Sequence, residues 1–309
     1  MRLNRRAFTL VELLVATAIA GVAAAFMGAT LARQQRFYSS AAAVLEVRSQ
    51  LRDAADVLSA DIRGAAVSTF GFPLMSDTAI EMYATIATSV ACSAPAGVTV
   101  GLATATLTSG ATLTSILVQP DTGDIAMLYG IPSGVADSGR WETHRVAVFQ
   151  SRPLSTSCPQ SAGFTSAADA AQGATAYSVT LATAPSPAVR GGAPIHFVRR
   201  ARYSLYRSSD GDWYLGYRRC SASGFGCAAI QPVSGPYSAY GGGGSGGISF
   251  RYFDSAGAEL SPGSSSTAVA RVDLVLRGET AHASALVGDA HSAWRDSVLV
   301  TVSPRNRTR

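Results

Sequence analysis

The sequence predicts an α+β fold in which one long N-terminal α-helix, transmembrane in its first half, packs on an antiparallel β-sheet head. Two observations predict it. Residues 8–32 are apolar apart from Glu12, and helical periodicity continues to residue 62. After Gly64 the chain is rich in Ser, Thr, Gly and Pro and carries short β-type runs, so the head should occupy residues 65–309.

The apolar run at residues 8–32 is longer than the roughly 20 residues that a helix needs to cross a bilayer. Arginines precede it, and such a positive flank stays in the cytoplasm while the rest of the chain crosses. An ordinary secretory signal, cut near Ala25, is the alternative. Its apolar region would be only roughly 7 to 15 residues long and would gain nothing from a carboxylate such as Glu12.

Residues 6–16, RAFTLVELLVA, resemble the cleavage and methylation motif of type IV prepilins and type II secretion pseudopilins. In that family a prepilin peptidase cuts before the Phe on the cytoplasmic side and methylates the new amine. The resemblance implies a leader at residues 1–7, cleavage between Ala7 and Phe8, and methylation of Phe8. The family normally has Gly where this chain has Ala7, and we expect the small Ala to permit cleavage.

The resemblance also implies what the protein does. It would be a minor pilin or pseudopilin that helps to initiate or cap a type IV pilus or a type II secretion pseudopilus, and it would not be an enzyme. Its partners would be other major and minor pilins or pseudopilins and the prepilin peptidase. It would lie in the inner membrane with its head in the periplasm, and then in a filament or at the cell surface. In the family, the Glu matching Glu12 faces the amine of an adjacent subunit, so Glu12 is the expected assembly residue.

The helix should continue beyond the membrane. Apolar residues recur at helical spacing within residues 44–62, while charged residues fall mainly on the other side of the helix. No Pro occurs before Pro73, and Gly64 is a suitable stop. We therefore expect one unkinked helix over residues 8–64, about 85 Å long, with residues 8–32 in the membrane.

The head should consist of antiparallel strands packed against the back of the helix. Residues 195–207 alternate apolar and polar side chains except at Val198 and Arg199, and a turn at residues 209–212 leads to the next strand. GGGGSGG at residues 241–247 predicts a flexible loop. The late strands resemble those of PilW/GspJ-type minor pilins. The predicted strands are Ala79–Ala87, Ser115–Gln119, Ile125–Tyr129, Arg145–Phe149, Tyr177–Leu181, Ile195–Arg207, Trp213–Tyr217, Ile248–Phe253, Val269–Arg277 and Ser297–Val302.

The composition indicates a membrane or secreted protein. Of the 309 residues, 47% are hydrophobic and 15% are charged, which excludes a disordered chain. All 25 basic residues are Arg, a bias that we attribute to GC-rich coding rather than to a selected chemistry. The formal net charge of +5 falls if the basic leader is removed, so net charge alone implies no acidic partner.

All four cysteines follow the apolar segment, as expected if the head lies in an oxidising compartment. Four cysteines allow three connectivities. Cys220 and Cys227 should be joined because only residues 221–226 separate them, and Cys92 would then pair with Cys158. No CxxC pair occurs, so we expect no metal on these cysteines, and we expect no cofactor.

An arginine-rich segment is the main candidate for a ligand surface. Arg199, Arg200 and Arg202 lie among Tyr and Trp side chains, an arrangement suited to contact with nucleic acid. A solvated sheet face or a subunit interface is the alternative. If the surface binds a ligand, the protein would be a membrane-anchored adhesin or DNA-binding module, which is the second function considered. Asp210 and Asp212 suit calcium, but few acids are near, and no motif of catalytic spacing occurs.

Overall fold

The computed structural model describes residues 9–132, 139–222, 226–241, 245–283 and 293–305, and its fold is α+β, as predicted. The helices are α1 (Leu10–Gly64), α2 (Val67–Phe70), α3 (Leu154–Ser157) and α4 (Ala167–Ala171). The strands are β1 (Leu74–Met75), β2 (Ala79–Val90), β3 (Thr99–Leu102), β4 (Ser115–Ile116), β5 (Ile125–Gly130), β6 (Arg140–Pro153), β7 (Thr175–Leu181), β8 (Pro194–Arg207), β9 (Trp213–Arg219), β10 (Gln231–Tyr237), β11 (Ile248–Phe253), β12 (Glu259–Leu260), β13 (Arg271–Ala283) and β14 (Ala293–Val302).

The helix α1 is continuous over 55 residues, or about 80 Å, because no proline interrupts it. It ends at Gly64, as predicted, where the Thr85 hydroxyl donates to the Gly64 carbonyl at 2.6 Å and satisfies a group that a helix end leaves unpaired. One face of its second half is buried in the head. The buried positions, at helical spacing, are Val44, Val47, Leu51, Ala54, Ala55, Leu58, Ser59 and Ile62.

The second half of α1 packs against two sheets that share one core. A four-stranded sheet has the order β12-β11-β13-β14, and the larger, ten-stranded sheet contributes parts of β2, β8, β9 and β10. Gly278 on β13 permits the close approach of the helix, because a Cβ there would lie 2.7 Å from Val47 Cγ1. Any larger residue at 278 would force the Val47 side chain or the helix to shift.

A second core lies inside the larger sheet, which closes on itself. Six strands follow the order β2-β8-β5-β6-β7-β3. The Cys92 amide then donates to the Gly101 carbonyl at 2.9 Å, and the Ala103 amide donates to the Val90 carbonyl at 3.1 Å, which joins β3 back to the end of β2. The buried side chains inside this ring of strands include Val100, Leu102, Ala126, Leu128, Val146, Val179, Leu181, Ile195 and Phe197.

The long strands β2 and β8 belong to both cores. Residues 195–198 of β8 pair with β5 in the closed ring, and residues 201–207 pair with β9 beside α1. At the junction, Phe197 faces the ring, whereas its neighbour Val198 packs with other buried residues below α2. Both faces of the strand are buried at this point, which explains the break in the sequence alternation at Val198.

The structure departs from the sequence prediction in its sheet pairing. It divides the predicted strands between two sheets where one was expected. It also adds β1, β3, β10 and β12. Sequence reasoning missed β10 because Pro232 and Pro236 argue against a strand. The centre of the predicted glycine loop, residues 242–244, lies outside the described residues.

Candidate functional site

The N-terminal half of α1 projects from the head, and no described part of this chain packs on it. Every residue from Thr9 to Ser39 is exposed. This segment is long and apolar enough to cross a membrane. Leaving a large apolar side chain in water costs about 1.5–3 kcal/mol, so the segment needs lipid or other apolar helices around it. The exposed apolar residues include Leu10, Val11, Leu13, Leu14, Val15, Ile19, Val22, Phe26, Met27 and Leu31.

A capping box formed by Thr9 and Glu12 fixes the start of α1. The Thr9 amide and hydroxyl donate to Glu12 Oε2 at 3.0 and 3.1 Å, and the Glu12 amide donates to Thr9 Oγ1 at 3.2 Å. These bonds satisfy amides that a helix N-terminus leaves without partners. Glu12 therefore has a role within its own chain that the sequence analysis missed, although the Thr-x-x-Glu spacing signals it.

The other expected features of the N-terminus remain predictions. Ala7 and Phe8, the residues of the expected cleavage site, lie outside the described residues. The expected contact of Glu12 with the N-terminal amine of a neighbouring subunit also remains a prediction, because it involves a second chain. The geometry establishes only that an exposed apolar helix begins immediately after these residues, with Glu12 in its first turn.

Comparison with known protein families agrees with this N-terminal geometry. Residues 2–28 match the sequence profile of the prokaryotic N-terminal methylation motif. This motif indicates a type IV pilin-like protein. The match does not reach the head, so it distinguishes neither a minor from a major subunit nor a pilus from a secretion system. No curated protein and no solved structure matches the chain.

In the head of this pilin-like chain, the arginines of the predicted nucleic-acid surface are divided between two faces of β8. Side chains alternate across a strand, so Arg199 lies on the face that also packs against α1, whereas Arg200 and Arg202 lie on the opposite face. Arg199 pairs with Asp124, and the other two pair with Glu81. The three arginines therefore do not form a single basic surface.

Glu81 is fully buried between Arg200 and Arg202. Arg202 Nη2 lies 2.7 Å from Glu81 Oε2, and the Arg200 guanidinium bonds the other carboxylate oxygen. Arg200 also donates to the Ser221 carbonyl at 2.9 Å. A buried charge costs several kcal/mol unless it is paired, so both guanidiniums hold Glu81, and the group of three keeps one net positive charge.

Asp124 is a second buried acid, and Arg199 and Arg219 pair with it. Arg199 donates from Nε and Nη2 to the two carboxylate oxygens of Asp124 at 3.0 and 2.7 Å, which is a bidentate pair. Arg219 bridges Asp124 at 3.2 Å and Asp121 at 2.8 Å. The hydrogen bond from Arg219 lowers the pKa of Asp121, so this acid is charged at neutral pH. Two aspartates thus neutralise two arginines, and no positive patch results.

We expect Arg200→Met to destabilise the head by about 2 kcal/mol. This is less than the roughly 3–5 kcal/mol of a fully uncompensated buried charge, because Arg202 remains beside Glu81. Arg202→Met is the matched control and should cost about 1 kcal/mol or less, because its side chain is 35% exposed and water screens its ion pair. Denaturant unfolding of the full chain in detergent measures both. Equal losses would show that Arg200 stabilises Glu81 no more than Arg202 does.

In the acidic turn considered for calcium, both carboxylate oxygens of Asp210 accept hydrogen bonds from nearby residues. Asp210 Oδ1 accepts from the Asp212 amide at 3.0 Å, and Asp210 Oδ2 accepts from the Tyr214 hydroxyl at 3.0 Å. Gly211 supplies the positive φ, +96°, that the turn between β8 and β9 requires. These contacts account for the Asp-Gly-Asp sequence as a hairpin turn.

One polar cluster in the head was missed by sequence reasoning. The Ser186 amide donates to Glu142 Oε2 at 3.0 Å, and its hydroxyl donates to Oε1. His144 lies between Glu142 and Thr183, with Nδ1 2.9 Å from Thr183 Oγ1. Burial alone would raise the pKa of Glu142, but the Ser186 bonds lower it overall. The cluster ties the segment after β7 to β6, and no short motif signals it because Ser186 lies 44 residues from Glu142.

Proposed function

We propose that the chain is a minor pilin or pseudopilin of the PilW/GspJ type, a subunit that helps to initiate or cap a type IV pilus or a type II secretion pseudopilus. The observation that carries the proposal is the continuity of α1. One unbroken helix exposes its apolar first half and buries one face of its second half in the head. Any protein that packs on the exposed half is thereby held in a fixed position relative to the head.

The mechanism is binding rather than turnover. While the chain is in the membrane, lipid covers the apolar half of α1. When the subunit leaves the membrane, the same surface must be covered by apolar helices of other subunits, because water cannot cover it at an acceptable cost. A bundle of like helices satisfies this requirement. Other pilins or pseudopilins are therefore the proposed partners.

Processing and location follow from the same proposal. Prepilin peptidase would act at the cytoplasmic end of the helix, and the subunit would lie in the inner membrane as a single-pass protein with its head in the periplasm. The two disulfides, Cys92–Cys158 and Cys220–Cys227, are in keeping with that oxidising compartment. After assembly the subunit would lie in the filament or at the cell surface.

Deletion of the gene in its own host tests the function. Loss of filaments or of secretion, restored by the full chain, supports an assembly subunit. Intact filaments that lose adherence or DNA uptake would instead favour an adhesin or DNA-binding module. The ion pairs of Arg199, Arg200 and Arg202 argue for the first outcome, because each of these side chains is already held by a buried acid within the head.

The mature protein should begin at Phe8 with a methylated amine. The peptidase reads the cytoplasmic flank and leaves the apolar segment in place, so only residues 1–7 are removed. Intact-mass or N-terminal peptide analysis of the membrane fraction measures the new terminus. Ala7→Gly restores the residue usual in the family and should be cut at the same bond at least as fast. A start at Phe26, or anywhere after the apolar run, would identify an ordinary secretory signal.

A further inference from the structure

The four-stranded sheet ends in an open edge at β14. This strand pairs with β13 on one side, and none of the described strands pairs with its other side. A strand edge presents unpaired backbone amides and carbonyls, which form a template for another strand. Proteins usually block such edges with prolines, bulges, charges or very short strands.

Several other sheet edges in the described part of the head are blocked in these ways. The outer strand β10 carries Pro232 and Pro236 and has two register shifts. β1, β4 and β12 have two residues each. β3 is joined back to the end of β2. By comparison, β14 is ten residues long and contains no proline, and its charged residues and its one register shift lie before residue 298.

The residues of β14 favour addition of a strand. Residues 298–302, VLVTV, are β-branched or apolar and carry no charge. Leu299 is 68% exposed. On the face towards α1, Val298 and Val300 pack on the core but remain half-buried, whereas Leu274 on β13 is fully buried. The core is therefore incomplete at this edge, and one more strand would cover it.

The position of β14 beside α1 indicates which protein supplies that strand. Arg48 Nε on α1 lies 3.1 Å from Asp296 Oδ2 near the start of β14, and the Arg305 amide after its end donates to the Arg63 carbonyl at 3.0 Å. Helix and strand thus run side by side in the same direction. A subunit whose own helix packs on the β14 side of α1 would therefore bring its head alongside β14.

A second copy of this chain fits less well. Two copies in the same membrane point their α1 helices the same way. Antiparallel pairing, which is the more stable arrangement of two strands, would require two β14 strands to run in opposite directions and would turn one α1 around. Pairing of β14 with β14 is therefore disfavoured, and we assign the partner strand to another segment, in a different protein.

We propose that β14 is a docking edge that takes up an extended strand from the head of a neighbouring, non-identical pilin-like subunit. Backbone hydrogen bonds along β14 would provide the affinity, and the exposed Leu299 would select an apolar residue on the incoming strand. The identity of the partner rests on the proposed function. The open edge itself does not.

Photocrosslinking of the full chain in its own cells tests the proposal. A benzophenone amino acid replaces Leu299, and the same replacement at Leu117, which is 78% exposed in the other part of the head, is the matched control. We expect position 299 alone to form an adduct, with a protein that carries its own N-terminal methylation motif, at a residue within a β-strand. An adduct with a second copy of this chain or with an unrelated protein, or none at all, would overturn the proposal.

A substitution gives an independent readout. Leu299→Lys places a charge on the edge and should lower recovery of the chain with its partner by about tenfold, because an edge lysine opposes strand pairing. Leu117→Lys should have no effect. Since Leu299 is exposed, the variant should unfold at the same temperature as wild type. Wild-type recovery of Leu299→Lys would overturn the edge proposal, while correct processing at Phe8 would leave the pilin function standing.

Discussion

Glu12→Leu should leave the chain in the membrane and remove it from filaments. Glu12 is the only charge within residues 8–32. A carboxylate at mid-membrane costs about 2.5–3.5 kcal/mol on insertion scales, an upper bound for a residue near the end of the segment. A residue kept at such a cost needs a positive partner. The resemblance to prepilins provides one, the N-terminal amine of an adjacent subunit, which would set the axial register of assembly.

The capping box gives Glu12 a second role, and a matched series separates the two. Glu12→Gln removes the charge but keeps a capping side chain, because Gln serves in a capping box as Glu does. Thr9→Ala removes the cap hydroxyl and keeps the charge, at a cost of about 1 kcal/mol of helix stability. If docking depends on charge, Glu12→Gln should fail like Glu12→Leu, and Thr9→Ala should assemble.

Three measurements compare these variants with wild type: membrane level, disulfide formation and recovery in sheared filaments. Membrane level should be unchanged or higher, and the disulfides should form, because the head is remote from Glu12. Normal recovery of Glu12→Leu would show that Glu12 is not the docking group. If Glu12→Gln is recovered in filaments normally and Thr9→Ala is absent from them, assembly requires the helix cap rather than the charge.

Loss of the Cys92–Cys158 bridge should destabilise the head by about 4 kcal/mol, the largest stability effect that we expect. The bridge joins residues 66 apart in sequence, whereas Cys220 and Cys227 are 7 apart. A cross-link restricts the unfolded chain more when it closes a longer loop, which gives about 4 kcal/mol for the first bridge and about 2 kcal/mol for the second.

The location of the longer bridge supports the same expectation. Cys92 follows β2, where the ring of six strands closes, and Cys158 follows α3, between β6 and β7. Both cysteines are buried in a small cluster with Leu154 and Ala176. The bridge thus fastens the closing point of the second core to a distant part of the chain.

The matched variants are Cys92→Ala with Cys158→Ala, and Cys220→Ala with Cys227→Ala. Each pair removes two sulfur atoms, so the comparison matches the chemical change while the loop length differs. Denaturant midpoints of the full chain in detergent measure the difference, and the first pair should unfold at clearly lower denaturant. Equal midpoints, or a larger loss for the second pair, would contradict the loop-length argument.

Sequence reasoning succeeded where structure is set by local pattern. The apolar stripe from Val44 to Ile62 and the stop at Gly64 were predictable because helical periodicity and helix termination depend on neighbours a few residues apart. The strand β8 was predictable for the same reason. The strand β10 was not, because Pro232 and Pro236 oppose a strand locally and only pairing with β9 creates it.

By itself, the sequence determined the long helix, its exposed apolar half and the pilin-like motif, since each depends on residues close together in the chain. Only the tertiary structure decided which acids the arginines pair with and that β14 lies at a sheet edge. Arg199 donates a hydrogen bond to Asp124, 75 residues away in sequence, and Arg202 donates one to Glu81, 121 residues away. Such contacts, and the choice of which strand lies at an edge, depend on how distant strands pair. That pairing is decided by the packing of the whole head, which no local pattern encodes.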